Sequence, residues 1–241
     1  GSSVNLATFV GATQVRLVVV GEADRPATPA ELDRMGALVD TAMRQGALGL
    51  SSSLIYAPAI YAPTEELIAL ARVARRHGGI YATHIRNEGE RIDEALNEAL
   101  RVSREADIPV EVWHLKVAGR PSWGRMPHVL ARIDSAREAG VDITADQYPY
   151  VASATSLGAS IPAWAHDGGR ELAPLRCQPE AAVVEELRVA ATDEPVYPLG
   201  DRRPRDAAAF HQAGPARGVP LLSPPQGCPL GTRRRVVPLG H

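Results

Sequence analysis

The sequence predicts an α/β fold of about five consecutive strand–helix units, followed by an irregular Pro/Arg-rich tail. Three observations predict it. Apolar, strand-like runs begin near residues 15, 47, 80, 109 and 141, a repeat of about thirty residues, which is the size of a parallel crossover unit. Amphipathic stretches of helical period fill the intervals. Past residue 170 the periodicity stops, and eleven of the 20 prolines fall in the last 71 residues.

Each element follows from local chemistry. "VRLVVVG" (15–21) reads as a buried strand. "ATPAELDRMGALVDTAMRQG" (27–46) reads as a helix, because Thr28 can cap it, Pro29 suits the first position and Glu31 completes a capping box. Leu32, Met35, Leu38, Val39, Ala42 and Met43 form its apolar stripe, and Gly46 can close it. "ALGLSSSLI" (47–55) is the next strand. A loop with Pro58 and Pro63 leads to a helix over 64–79, capped by Thr64. "IYATHI" (80–85) is a strand, and 90–106 is a helix with Ile92, Ala95, Leu96, Ala99 and Leu100 on one side. "IPVEVWHLK" (108–116) is a strand, 126–140 a helix with Val129, Leu130, Ile133 and Ala136 inward, and "VDITADQY" (141–148) a further strand. Residues 1–170 thus form one barrel-type domain, and 171–241 an irregular tail, disordered or out of frame, with a helix over 181–190.

Such βα runs make a doubly wound sheet or a (β/α)8 barrel. No GxGxxG or Walker pattern opens a helix, which weakens the nucleotide-binding sheet. A barrel gathers function at the C-terminal strand ends. There, "YATHIRNEGE" (81–90) and "VWHLKVAGR" (112–120) each place a histidine followed two residues later by a cation.

Composition excludes some classes. The net charge of −2 offers no basic field for nucleic acid or a membrane surface. No apolar run reaches bilayer length. The two cysteines, Cys177 and Cys228, have no CxxC spacing, so a cytoplasmic location is expected. Of the 26 basic residues, Lys116 is the single lysine.

Alternation along the strands puts Ile80, Ala82 and His84 on one face, and Val110, Val112, His114 and Lys116 on one face. Both imidazoles then project into one mouth, a workable geometry for a shared metal such as zinc. One histidine at a strand end is more often a hydrogen-bonded rim residue than a ligand, and two ligands fall short of the usual three. Arg86 either orients a substrate or pairs with Glu88 or Glu90. Asp146 and Tyr148 end the next strand and can reach the same mouth, although such an Asp is often a structural acceptor. The serines of "GLSSSL" lack a G-x-S-x-G elbow, which argues against a serine nucleophile. His77 sits in a helix C-terminal turn, where a cation complements the dipole.

"DRPATPAELDRMGALVDTAMRQGALGLSSSLIYAP", "YATHIRNEGERIDEAL", "HLK" and "DITADQYPYVASATSL" resemble the N-acyl-D-amino-acid deacylases (D-aminoacylases) of the amidohydrolase superfamily, from about residue 1 to about 170. The resemblance implies a partial (β/α)8 TIM-type barrel and a zinc cofactor. It matches His84 and His114 to metal-binding histidines of the fifth and sixth barrel strands. Lys116 and Tyr148 match residues that hold the substrate carboxylate, with Ser153 as a helper. The implied reaction is hydrolysis of an N-acyl-D-amino acid to a carboxylic acid and a D-amino acid. In it zinc activates a water and an eighth-strand Asp shuttles the proton. The implied partner is that small molecule alone, with neither nucleic acid nor membrane.

The chain departs from the family pattern in several places. The family's first-strand His-x-His, its early metal-ligating Cys and its eighth-strand Asp have no equivalent, so the catalytic residue is unassigned. "GATQVR" has Ala12 where the family usually has His, and "GLSSSL" replaces "GLSTGL". Cys177 lies on the wrong side of the site residues to replace the absent Cys. The expectation is a truncated chain carrying strands three to seven of eight, inactive in isolation. Its tail would arise from a frameshift, with another frame beyond codon 170 restoring βα text, or from a mispredicted gene end. The alternatives are an amidohydrolase acting on cyclic amides, as hydantoinases and dihydropyrimidinases do, or a non-catalytic remnant.

Overall fold

A computed structural model of the chain describes residues 3–149, 153–155, 159 and 163–169. The expected boundary near 170, the helix over 181–190 and the tail lie outside the described residues. Five strands, β1 (Val10–Gly11), β2 (Gly49–Ser53), β3 (Ile80–His84), β4 (Val110–Val112) and β5 (Ile143–Ala145), pair in chain order and all in parallel. Five helices connect or follow them: α1 (Ala12–Val19), α2 (Pro29–Arg44), α3 (Thr64–Arg76), α4 (Ile92–Ala106) and α5 (Met126–Glu138). With each strand beside its predecessor there is no point where the winding reverses. Right-handed crossovers then put the helices on one face, which makes this a partial TIM-type barrel and not a doubly wound sheet.

The register lines up Leu50, Tyr81, Val110 and Ile143 across neighbouring strands. All four are buried, in one apolar core with Leu67 of α3, Leu96 of α4 and Ile133 of α5. Gly49 is required where β2 meets β3, because an added Cβ would lie 2.0 Å from the Ile80 carbonyl oxygen. Tyr81 is fully enclosed, and its hydroxyl shares a 2.6 Å hydrogen bond with Ser52 Oγ. Burial pushes that phenol up to about 12, against the lowering effect of the Ser52 bond.

The expected capping box of α2 is present: Thr28 Oγ1 accepts from Glu31 N–H, and Glu31 accepts from Thr28 N–H. Four expectations are corrected. Residues 15–21 do not form a strand, since α1 takes in 15–19 and Val20 is its C-cap. Buried Ala12, Val15 and Arg16, with partly buried Val19, follow the i, i+3, i+4, i+7 spacing of one helix face, while Leu17 and Val18 are exposed. Thr64 does not cap α3; Pro63 holds that position, and the Thr64 hydroxyl donates to Glu98 Oε1 at 2.7 Å. Leu38 and Leu130, read as core-facing, are 40% and 48% exposed. The strand expected over 108–116 stops at Val112.

Arg16 ties α1 to α3. Its guanidinium donates to Glu66 Oε2 at 2.7 Å with both side chains buried, and it also reaches the carbonyl oxygens of Ala23 and Arg25. Removing one member strands a charge in the core. Glu66→Ala is therefore expected to lower the unfolding free energy by about 3–5 kcal/mol in urea titrations. The pair Arg16→Met with Glu66→Leu should restore most of it. Equal losses in the single and double variants would contradict this role.

Candidate metal centre

The site forms where the C-terminal ends of β3, β4 and β5 meet. Thr83 pairs with Val112, and Trp113 N–H donates to the Thr83 carbonyl at 3.0 Å. The chain then turns: His114 has φ of 42°, in the left-handed region that non-glycine residues seldom occupy. Asp146, just past β5, holds this turn. Its carboxylate accepts the His114 N–H, its carbonyl accepts Leu115 N–H at 2.8 Å, and its own N–H donates to Val112 at 3.2 Å. The alternation expected through Val110, Val112, His114 and Lys116 therefore ends at Val112. Asp146 takes the structural role weighed for it.

The turn brings the two histidines together. The rings of His84 and His114 lie edge to face with centroids 4.5 Å apart. Glu88 joins them: its Oε1 is 3.6 Å from His84 Nε2 and 3.2 Å from His114 Nδ1. One ligand atom from each of the three falls within 4.8 Å of the others. His84 Nε2 is buried and has no hydrogen-bond partner among the described residues. A buried, unshared imidazole nitrogen beside a second imidazole and a carboxylate fits a zinc ion, which takes such nitrogen and oxygen donors. Burial first, then the neighbouring His114 and Lys116, hold the His84 imidazolium down to about 4, so the ring is neutral, the form a metal requires. Sequence reading passed over Glu88 as a partner for Arg86. The signal present was a carboxylate four residues after a strand-end histidine.

Lys116 returns to this group despite the turn. Its Nζ donates to Glu88 Oε1 at 2.6 Å and to His114 Nδ1 at 2.8 Å, and lies 5.5 Å from the Tyr148 ring centroid. Ser153 lies farther along the same connection, in the exposed stretch 153–155. There Thr155 Oγ1 reaches the Tyr56 hydroxyl at 2.8 Å, and the Tyr56 ring stands 5.6 Å from His84. A polar cavity of about 210 Å³ adjoins this ring, lined by Gly11, Thr13, Gln14, Ser51, Ser52, Ser53 and Tyr56.

Other candidates resolve into structure. Arg86 pairs with neither Glu88 nor Glu90. It clamps Glu98 of α4 through two hydrogen bonds of 2.8 and 2.9 Å and donates to the carbonyls of Ile60 and Ala62. Ser52 is buried against Tyr81 and Thr83. His77 caps α3 and bonds Asp40 of α2 at 2.8 Å, a contact that holds the Asp40 carboxyl below its usual range. His128 bonds Asp93 at 3.0 Å, and His166 ends a short 3-10 turn over Ala163–His166.

The His84 shift sets a pH dependence for the chelator-treated chain. An ordinary histidine titrates near 6.5 when unfolded, so between that value and about 4 the unfolded state binds the extra proton. The stability contributed by the neutral ring is complete above about 6.5 and is lost as pH falls toward about 4, by up to about 3 kcal/mol. Denaturant midpoints measured across this window should fall more steeply for the native chain than for His84→Gln. Parallel profiles would contradict burial of a neutral His84.

No family model matches the chain. The D-aminoacylase of Alcaligenes xylosoxydans xylosoxydans is 45% identical over 156 residues, which are 65% of this chain and 32% of that relative. A crystal structure of D-aminoacylase, described as defining a novel subset of amidohydrolases, matches with a TM-score of 0.61 at 45% identity, over 63% of this chain and 32% of the other. The N-acyl-D-glutamate deacylase from Bordetella bronchiseptica, solved with zinc and a phosphonate mimic of the tetrahedral intermediate, matches at 0.59 and 37%, over 61% and 31%. The chain spans about a third of the length of the curated relatives it matches. Over the matched residues the chain is similar, in sequence and in fold, to the N-acyl-D-amino-acid deacylases (D-aminoacylases) of the amidohydrolases.

Proposed function

We propose that the chain supplies the metal-holding and carboxylate-holding part of a zinc-dependent hydrolase of N-acyl-D-amino acids. The observation that carries this reading is the convergence of His84, His114 and Glu88 beside the single lysine, Lys116, at adjacent strand ends. In the reaction, water adds across the acyl C–N bond, releasing a carboxylic acid and a D-amino acid. Bound zinc would supply an acidified water and polarise the amide carbonyl.

The residues of this chain divide the remaining work. His84 and His114 hold the ion, with Glu88 as a third donor. Lys116 pairs with the substrate carboxylate as a point charge, Tyr148 holds it with Lys116, and Ser153 assists as a further donor. Asp146 is committed to the His114 N–H and is not assigned as the proton shuttle. The small net negative charge and the widely spaced cysteines support a cytoplasmic protein whose partner is this small molecule, with neither nucleic acid nor membrane. Among the described residues, no helix is long and apolar enough to cross a membrane.

The test is release of D-amino acid from N-acetyl-D-amino acids, with the L-enantiomers as control. It is run on the zinc-loaded chain alone and joined to the remaining barrel segments of a relative. D-specific release is expected in the joined form. There Lys116→Met should raise KM about tenfold or more while zinc content is kept, as loss of a carboxylate partner does. Absence of D-specific turnover from both forms would sink the reading, and an unchanged KM would reject the role of Lys116.

A further inference from the structure

Two of the three donors, His114 and Glu88, share a cation of the protein's own. An ammonium has three N–H donors and no acceptor, so His114 Nδ1, 2.8 Å from Lys116 Nζ, must be the accepting nitrogen of a neutral ring. The same ammonium donates to Glu88 Oε1 at 2.6 Å, and that oxygen stands 3.2 Å from His114 Nδ1. A neutral imidazole has one ring lone pair, and it serves either an N–H donor or a metal. Lys116, Glu88 and His84 are each less than a fifth exposed, so two cations held side by side there would repel with little screening. Arg86, two residues from both His84 and Glu88, is occupied by Glu98 and two carbonyls.

We infer that the Lys116 ammonium and a metal ion compete for His114 Nδ1 and Glu88 Oε1, so that metal loading releases Lys116 toward the substrate carboxylate. This rests on the zinc-hydrolase reading and adds an order to it: metal first, then the carboxylate of the substrate. Released Lys116 stays beside Tyr148, whose ring face already lies 5.5 Å from Nζ. Glu88 then changes partner, from counter-ion of the lysine to ligand of the metal.

The experiment is a zinc titration of the full 241-residue chain against a chromophoric chelator, counting as site-specific the zinc lost in His114→Gln. Lys116→Met should bind zinc about tenfold more tightly than the native chain, and Lys116→Arg, which keeps a cation, much less so. Because Lys116 is the only lysine, acetylating the folded native chain removes the same charge without a mutation and should tighten zinc equally. That arm decides the matter if Lys116→Met fails to fold. Equal or weaker zinc binding after loss of the ammonium overturns the competition while leaving the zinc reading intact. Absence of site-specific zinc in every form overturns both.

Discussion

The site depends on a left-handed turn at His114, held by Asp146. Parallel pairing sets β3 and β4 side by side as far as Thr83 and Val112, and beyond that point a regular strand would carry His114 onward with the pleat. The Asp146 carboxylate captures the His114 N–H, and two further backbone bonds close the ends of β4 and β5 together. A non-glycine residue at positive φ costs about 1–2 kcal/mol, so the turn needs these partners. With them, His114, Glu88 and Lys116 fall within bonding distance of one another, with the His84 ring beside them, on the ends of β3 and β4 and the loop after β3.

Two clamps keep the loop after β3 in place. Arg86 fastens it to Glu98 of α4 and to the carbonyls of Ile60 and Ala62 in the preceding connection. Asn87 Oδ1 accepts the N–H groups of Gly89 and Arg91, an Asx-type turn that carries the chain into α4. Glu88 follows both residues and sits between Asn87 and Gly89, which the Asn87 side chain ties together. Its carboxylate is thereby presented to the histidines from a backbone already committed on both sides, the kind of support a metal ligand requires.

Much of the fold was legible because burial is periodic. The spacing of Ile92, Ala95, Leu96, Ala99 and Leu100 identifies α4 without ambiguity, and Thr28 with Glu31 marks the start of α2 through a specific pair of hydrogen bonds. The run 15–21 misled because six apolar or buried positions in a short stretch fit a strand or a helix face equally well. The preceding strand, β1, has two residues, too few to show a period. At the site, His84, His114 and Lys116 were legible from their places at strand ends. Glu88 was passed over despite its spacing from His84, because its other partners, His114 and Lys116, lie 26 and 28 residues away, brought close by β3–β4 pairing and a turn that no local signature announces. Arg86 was misread for the same reason: the residues nearest in sequence are Glu88 and Glu90, while the carboxylate that geometry supplies is Glu98.

The chemistry then follows from what these side chains offer. Two neutral imidazoles and a carboxylate are a donor set for zinc, and one ammonium beside them is a point charge for a carboxylate. The most direct measurement is zinc X-ray absorption on the full chain loaded with one equivalent of metal. The expected spectrum contains scattering from two imidazole rings and a shell of oxygen and nitrogen donors, reduced to one ring in His84→Gln and in His114→Gln. A zinc environment of oxygen donors without imidazole scattering would contradict the metal centre built by His84, Glu88 and His114.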